Sequence, residues 1–198
     1  MLLDELASRQ AIAELTARYC RGVDRCDAML LKSVFWNDAT VQYGIFAGPA
    51  WQFAELTVAT VQQGCQATMH AVSNSIVELD GNEARSETYA VAYHSLHSVD
   101  SIGELRFDPA MSDSFASQSA ALPAGRCSFV VGARYLDRFA RREGQWRIAH
   151  RAYVWDWCEI GPANLLFNAA GSGTRLLVGQ RDPADPSYKV LGTAIGVR

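Results

Sequence analysis

Two long hairpins limit what this chain can fold into. In each, two stretches rich in β-branched and aromatic residues flank a short turn sequence, Asp80-Gly81-Asn82 in the first and Arg142-Glu143-Gly144 in the second. Glycine supplies the positive φ that such turns need. The predicted strands cover residues 68–79, 84–96, 129–141 and 145–157. Strands this long in a small domain indicate a strongly bent sheet.

The segment before the hairpins has apolar residues at helical spacing. It predicts helices at residues 2–21, 27–35 and 49–63. A short strand is predicted at residues 39–43. Gly22 is the expected end of the first helix, and Asp27 is the expected N-cap of the second. Helices first and antiparallel strands afterwards predict an α+β fold, in which the helices cover one concave face of the sheet.

The 198 residues fit a single domain. We expect its core at residues 2–157. An insert at residues 98–126 shows no clean period, and loops of that length are uncommon unless they act as lids. We therefore predict that it is irregular or mobile and lies at the mouth of a pocket. Residues 158–198 are punctuated by Gly and Pro and predict an irregular C-terminal wrap.

The charge balance argues against nucleic acid as a partner. Eighteen basic residues face 21 acidic ones, for a net charge of −3, and the basic residues are scattered rather than clustered. No apolar run is long enough to cross a bilayer. The first residues carry Asp4 and Glu5 and enter a helical pattern directly, unlike a secretory signal, so we expect a cytoplasmic protein.

Five cysteines occur without any C-x-x-C pair. That spacing argues against a zinc site and against a disulfide framework. The sequence also has no glycine loop of the kind that cradles phosphates and no cluster with metal-ligand spacing. We therefore expect neither a metal nor another cofactor.

A histidine held by a carboxylate is the commonest general base near neutral pH. Strand alternation puts His70, Val72 and Asn74 on one face, as in a polar patch of a pocket. The alternative is a core or edge histidine with a backbone partner. Asp24 follows the first helix, where it could equally pair with a neighbouring arginine or act as a cap. On the residues alone these alternatives stay open.

The remaining charged residues of the second hairpin predict a different arrangement. Arg134, Asp137 and Arg147 are expected to form a cross-strand charge ladder on the solvated face. His150 precedes Arg151 and should point away from it. His94 is expected to be a satisfied core or rim residue.

Several short motifs follow one another in a recognisable order. They are Tyr19-x4-Asp24-x2-Asp27, Phe35-x2-Asp38-Ala39-Thr40-Val41-x-Tyr43, Met69-His70-x3-Asn74, Gly132-x-Arg134-Tyr135-x-Asp137-Arg138-Phe139, Gly144-x-Trp146-Arg147-Ile148-x-His150-Arg151 and Asp156-Trp157. This order resembles the SnoaL-like family of the nuclear-transport-factor-2-like superfamily, which includes scytalone dehydratase, bile-acid 7α-dehydratase and hexachlorocyclohexane dehydrochlorinase. The resemblance implies a cystatin-like fold, with a curved, mostly antiparallel sheet wrapped around the N-terminal helices and a cone-shaped pocket.

The resemblance also implies roles for individual residues. Asp24 and His70 match the dyad in which an Asp holds a His that abstracts a proton. The other matched positions are polar groups of the pocket: Tyr19, Tyr43, Arg151 and Asn74. The tyrosines would polarise a carbonyl or steady a leaving oxygen, the arginine belongs to the pocket on the last strand, and the asparagine would contact substrate.

The resulting hypothesis is a cofactor-independent lyase of the dehydratase type, acting on an apolar cyclic or aromatic small molecule. Isomerisation of the ketosteroid type and retro-aldol cleavage stay open, as does a non-catalytic module of the same fold that binds a small molecule or serves in assembly. Relatives form dimers or trimers. We expect a homo-oligomer, with a trimer favoured over a dimer, through the open sheet face that we assign to Arg134, Tyr135 and the late tryptophans.

Overall fold

The structure is a computed structural model that describes residues 2–44, 46–98, 101, 122, 127–163 and 178–191. Most of the predicted insert and much of the predicted wrap lie outside these residues. The helices are α1 (Leu2–Asp24), α2 (Ala28–Ser33), α3 (Ala50–Gly64) and α4 (Ser187–Leu191). The strands are β1 (Phe35–Tyr43), β2 (Phe46–Pro49), β3 (Cys65–Asp80), β4 (Glu83–Leu96), β5 (Cys127–Arg142) and β6 (Gln145–Pro162). No helix in the described ranges is both long and apolar enough to span a membrane.

The six strands form one curved, open sheet in the order β2-β1-β6-β5-β4-β3. All neighbouring pairs are antiparallel except β1 and β6, which run parallel. The core lies between the N-terminal helices and the concave face, where α1 packs mainly on β3 and α3 mainly on β1. The predicted α+β fold is therefore confirmed, with one parallel pair making the sheet mixed.

Both predicted hairpin turns are present. Gly81 has a φ of +60° between β3 and β4. Between β5 and β6, Glu143 and Gly144 have φ values of +52° and +79°. Positive φ at both central residues is what a two-residue type I′ turn requires, and its twist matches that of the flanking strands.

The end of α1 differs from the prediction. The helix continues past Gly22 to Asp24 and ends in a Schellman motif, in which Cys26 N–H donates to Val23 O (3.2 Å) and Asp27 N–H donates to Gly22 O (2.8 Å). Cys26 occupies the left-handed position with a φ of +51°. Gly22 has another role, because a Cβ there would lie 3.0 Å from both Cβ and N of Leu31 in α2.

Three other element boundaries differ. The second helix ends at Ser33, so Phe35 opens a strand instead of closing a helix. Its start agrees with the prediction: Asp27 caps α2, and its side chain accepts from Leu30 N–H at 2.9 Å. The short strand β2 was not predicted. β6 runs on to Pro162 as the partner of β5, so the first residues of the predicted irregular wrap are regular strand.

We predict that Gly22→Ala destabilises the protein by about 1–3 kcal/mol, because the added methyl group must displace the backbone of α2. Alanine is intrinsically the better helix former by about 1 kcal/mol, so the sign of the change is informative. Urea unfolding followed by circular dichroism measures it. A stabilised variant would contradict the close approach of α1 and α2.

Candidate active site

The structure joins the two halves of the sequence-predicted pair. The Asp24 carboxylate accepts from the His70 ring at Nδ1, with Oδ1 2.7 Å away, and from the His70 backbone N–H, with Oδ2 2.9 Å away. The side chains are 6% exposed for His70 and 12% exposed for Asp24. Since an ionised carboxylate can only accept, Nδ1 carries the proton and Nε2 is left as the basic nitrogen.

Local structure explains why these residues meet. Asp24 is the last residue of α1, and α1 packs across β3. His70 pairs with Ala92 of β4, an inward residue, and so shares the concave face of the sheet. One carboxylate holding both the ring and the backbone of one residue fixes the rotamer of His70 as well as its tautomer.

The electrostatics of Asp24 favour the ionised form. Burial by itself raises the pKa of this carboxyl, but hydrogen bonds from the His70 ring and backbone, together with the charge of the ring, outweigh it. The net result is a lowered pKa. Asp24 is therefore an anion at neutral pH, which is the state needed to orient an imidazole.

A second histidine lies beside the pair. The ring of His94 is 5.5 Å from the ring of His70, edge to face, and His94 Nδ1 is 3.3 Å from the carbonyl oxygen of Phe129. Burial, with the charge of His70 acting in the same direction, lowers the pKa of His94 to about 3. His94 is thus neutral, as a buried residue with a backbone partner, in line with the sequence analysis.

Arg151 and the tyrosines form a separate cluster. The guanidinium of Arg151 is fully buried and lies 4.1 Å from the ring centre of Tyr19 and 4.0 Å from that of Tyr135. Tyr43 stacks on Tyr153 at 4.0 Å. Burial raises the pKa of Tyr19 to about 12 and that of Tyr43 well above its usual value, so both phenols keep their protons as hydrogen-bond donors.

The charge ladder expected on the solvated face is wrong for Asp137. Asp137 is 2% exposed and accepts from Arg151 Nε and Nη2, each at 2.7 Å. The two residues stand directly opposite each other on β5 and β6 because the register shifts between Arg138 and Phe139. Arg134 does lie on the outer face, where it pairs with Asp156 at 2.8 Å and Glu87 at 3.3 Å.

The ion pair with Asp137 uses two of the three guanidinium nitrogens of Arg151, Nε and Nη2. Nη1 is buried and makes no hydrogen bond within the part of the chain that the structure describes. Burial opposes the charge on Arg151, but Asp137 outweighs it and the pKa of the guanidinium is raised. The cluster therefore holds a permanent cation, and one of its nitrogens has no hydrogen-bond acceptor at normal geometry among the described residues.

Ring contacts connect the two clusters. Starting at His94, they pass through Phe129 (5.6 Å), Trp155 (5.9 Å), Tyr153 (6.4 Å) and Tyr43 (4.0 Å). They continue from Tyr43 to α3 and β2 through the rings of Phe53 (4.8 Å) and Phe46 (5.8 Å). The concave face is thus lined by aromatic side chains from the histidines to the far edge of the sheet.

Asn74 is not part of this arrangement. A register shift between Val72 and Ser75 adds one residue to β3, so the alternation that begins at His70 does not continue to Asn74. Asn74 is exposed. The expectation that it shares the face of His70 is wrong.

Sequence reasoning also missed three members of the buried clusters: Asp137, Tyr135 and Tyr153. Alternation from Arg151 would have placed Tyr153 on the inner face, and alternation along β5 puts Tyr135 and Asp137 together. The same alternation shows that Arg134 and Tyr135 lie on opposite faces, so the expectation that both belong to the open face is wrong for Tyr135. What the pattern could not supply was the register shift that sets Asp137 against Arg151.

A family model described as the SnoaL-like domain matches residues 4–152. The chain belongs to this family. The resemblance stated from the motifs is thereby confirmed, and the match covers both Asp24 and His70.

Solved structures agree on the SnoaL-like fold. The chain is similar to a type 2 hexachlorocyclohexane dehydrochlorinase, with a TM-score of 0.64 and 21% identity, over 86% of this chain and 99% of that one. It is similar to a proposed scytalone dehydratase from Novosphingobium aromaticivorans, with a TM-score of 0.60 and 17% identity, over 83% and 99%. A protein of unknown function with a cystatin-like fold from Nostoc punctiforme gives 0.51 and 19%, over 75% and 90%. No curated protein matches the chain in sequence.

We predict that Asp137→Asn lowers the free energy of unfolding by about 3–5 kcal/mol, because it leaves the buried guanidinium of Arg151 without a counter-charge. The matched control is Asp156→Asn, which breaks an exposed ion pair on the same sheet and should change stability little. Urea titrations of both variants measure the difference. Equal effects would show that the buried pair is not what stabilises this part of the SnoaL-like fold.

Proposed function

We propose that this SnoaL-like protein is a cofactor-independent lyase of the dehydratase type, with His70 as general base and Asp24 as the residue that orients it. The observation that carries the proposal is the 2.7 Å bond from His70 Nδ1 to Asp24 in a nearly buried site. It leaves Nε2 to remove a proton from carbon, and the ionised carboxylate stabilises the imidazolium that results.

The second part of the proposal concerns the charge that develops on the substrate. Removing a proton next to a carbonyl creates an enolate-like oxygen, which needs donors that are already in place. Tyr19 and Tyr43 keep their protons, and Arg151 offers Nη1. The protonated His70 then returns its proton to the departing hydroxyl, so that water leaves and the base is restored.

The proposed substrate is a neutral, mostly apolar cyclic or aromatic molecule. Support comes from the aromatic lining between the two clusters, which offers ring faces and few unpaired charges. The fold shared with a dehydrochlorinase and a proposed dehydratase is consistent with elimination. Among the alternatives, isomerisation and retro-aldol cleavage would use the same base, so products separate them.

We predict that the wild-type protein converts a hydroxytetralone, a cyclic β-hydroxyketone, to the fluorescent naphthol that forms on loss of water. His70→Ala should abolish nearly all turnover, and Asp24→Asn should reduce it by about a hundredfold, because the imidazole loses its orientation and the anion beside it. The double variant should be little worse than His70→Ala, since the two residues act as one unit.

The controls are His97→Ala and Asp38→Asn, which change an exposed histidine and an exposed aspartate away from the pair. Both should retain wild-type rates. If hydroxytetralones bind to the wild type, as seen by calorimetry, without elimination or deuterium exchange from solvent, the binding-module alternative is favoured. If His70→Ala retains turnover while a Tyr43 or Arg151 variant loses it, the pair is structural.

We further propose a homo-oligomer, with a trimer favoured over a dimer, formed through the outer face of the sheet. That face carries six large apolar side chains that are 36–66% exposed: Met69, Ile76, Tyr89, Val91, Leu136 and Trp157. The indole of Trp157 lies across Gly132, where a Cβ would come within 2.1 Å of the ring. Exposed apolar surface of this kind generally marks an interface.

We predict that the wild type sediments as a trimer at micromolar concentration and that Val91→Glu shifts it to a monomer, because a charge would be buried in the interface. Met29→Glu is the control, since Met29 is 75% exposed but lies on α2. A monomeric wild type in analytical ultracentrifugation would contradict the proposed assembly.

A further inference from the structure

The C-terminal segment at residues 178–191, here called the strap, lies against the corner between α1 and α2. Arg21 Nη1 donates to Ser187 Oγ at 2.7 Å, and Arg25 Nη1 donates to Gln180 O at 2.9 Å. The Tyr188 hydroxyl donates to Asp27 Oδ2 at 3.0 Å. These contacts involve residues on both sides of Asp24 in the sequence.

Within the strap, Asp185 sets the local conformation. It is 4% exposed and accepts from the backbone N–H groups of Gln180 (2.8 Å) and Ser187 (3.0 Å). Its pKa is lowered to about 2, because hydrogen bonds from Ser187 and Gln180 outweigh the effect of burial. The strap is thus held in one shape by its own carboxylate, and Arg181 extends from that shape.

Arg181 contacts three separate parts of the chain at once: the α1–α2 corner, α3 and the start of β3. Nη2 contacts Cys26 Sγ at 3.0 Å and donates to Val61 O at 3.0 Å, while Nη1 donates to Cys65 O. Cys26 lies two residues after Asp24. Cys65 opens β3, the strand that carries His70. One guanidinium therefore bridges the segment that presents the carboxylate and the segment that presents the imidazole.

The acceptors themselves favour a rigid bridge. Val61 O and Cys65 O lie at the C-terminal end of α3, where the helix dipole favours a positive charge. Cys26 holds the left-handed position of the Schellman motif without being glycine, so its conformation depends on its surroundings. A planar guanidinium contacts these three groups from two nitrogens held in a fixed fork, whereas an ammonium would have to reach all three from a single nitrogen.

We propose that Arg181 is a positioning residue for the Asp24–His70 pair: by tying the α1–α2 corner to the start of β3, it fixes the carboxylate at hydrogen-bond distance from the imidazole. The role in geometry stands on these contacts alone. Only its consequence for turnover rests on the proposed function.

The test compares Arg181→Ala with Tyr188→Phe. The second variant weakens the strap at Asp27 but leaves the guanidinium bridge intact. The readout is the tautomer of His70, measured by NMR on protein labelled with ¹⁵N-histidine and assigned with His70→Ala. The wild type and Tyr188→Phe should show the Nδ1-protonated form, and Arg181→Ala should show a mixture of tautomers.

Turnover of the hydroxytetralone provides the second readout. We expect Arg181→Ala to lower kcat by about tenfold with little change in KM, because the base is disordered while the substrate contacts remain. Guanidinium chloride at low millimolar concentration should restore part of the rate. Tyr188→Phe should keep the wild-type kcat.

Each outcome decides one question. An unchanged His70 tautomer in Arg181→Ala overturns the positioning role, whatever the activity. A changed tautomer in a protein whose wild type eliminates nothing upholds that role and contradicts the proposed function. If Arg181→Ala does not fold, Arg181→Lys replaces it, because lysine keeps the charge but has one nitrogen in place of the two that contact the three acceptors. A wild-type spectrum of folded Arg181→Lys would then overturn the proposal.

Discussion

A guanidinium with no access to water determines how the concave face is assembled. Arg151 is fully buried among protein groups. An unpaired charge in that position would cost several kcal/mol. Asp137 supplies the counter-charge from β5, and the rings of Tyr19 and Tyr135 cover the two faces of the group. Since Tyr19 belongs to α1, the docking of the first helix on the sheet depends on the same cation.

The requirement that a buried charge have a counter-charge extends to the candidate site. Asp24 is matched by His70, Asp137 is matched by Arg151, and His94 is kept neutral by burial. The interior therefore contains ionisable groups without a large excess of either sign. The neutral substrate proposed above could occupy such a face without leaving a charge unpaired.

Period and spacing predicted the architecture because they report directly on burial. The helical stripe of α1, the alternation in the four long strands and the turns at Gly81 and Gly144 each follow from local residues. The matched motifs likewise led to Asp24 and His70, which the structure brings together.

The wrong placements of Asp137 and Asn74 depended on register, which no local pattern determines. Counting strand pairs outward from Arg142 and Gln145 would set Asp137 against His150. One extra residue in β6 sets it against Arg151 instead. A similar shift in β3 moves Asn74 out of phase with His70. The contacts of Arg181 lie further beyond such reasoning, since they join residues more than a hundred positions apart through backbone carbonyls that carry no sequence signal.

The parallel pairing of β1 with β6 has a consequence for how the protein is made. Thr40 lies beside His150, so β1 has no partner on that side until nearly the whole domain has been synthesised. At ribosomal speeds the delay is on the order of ten seconds. During that time Phe35 and Val41, both buried in the finished fold, lack the strand that covers them. Pairings between residues so far apart in sequence form slowly, and apolar strands that wait for a partner expose the nascent chain to aggregation.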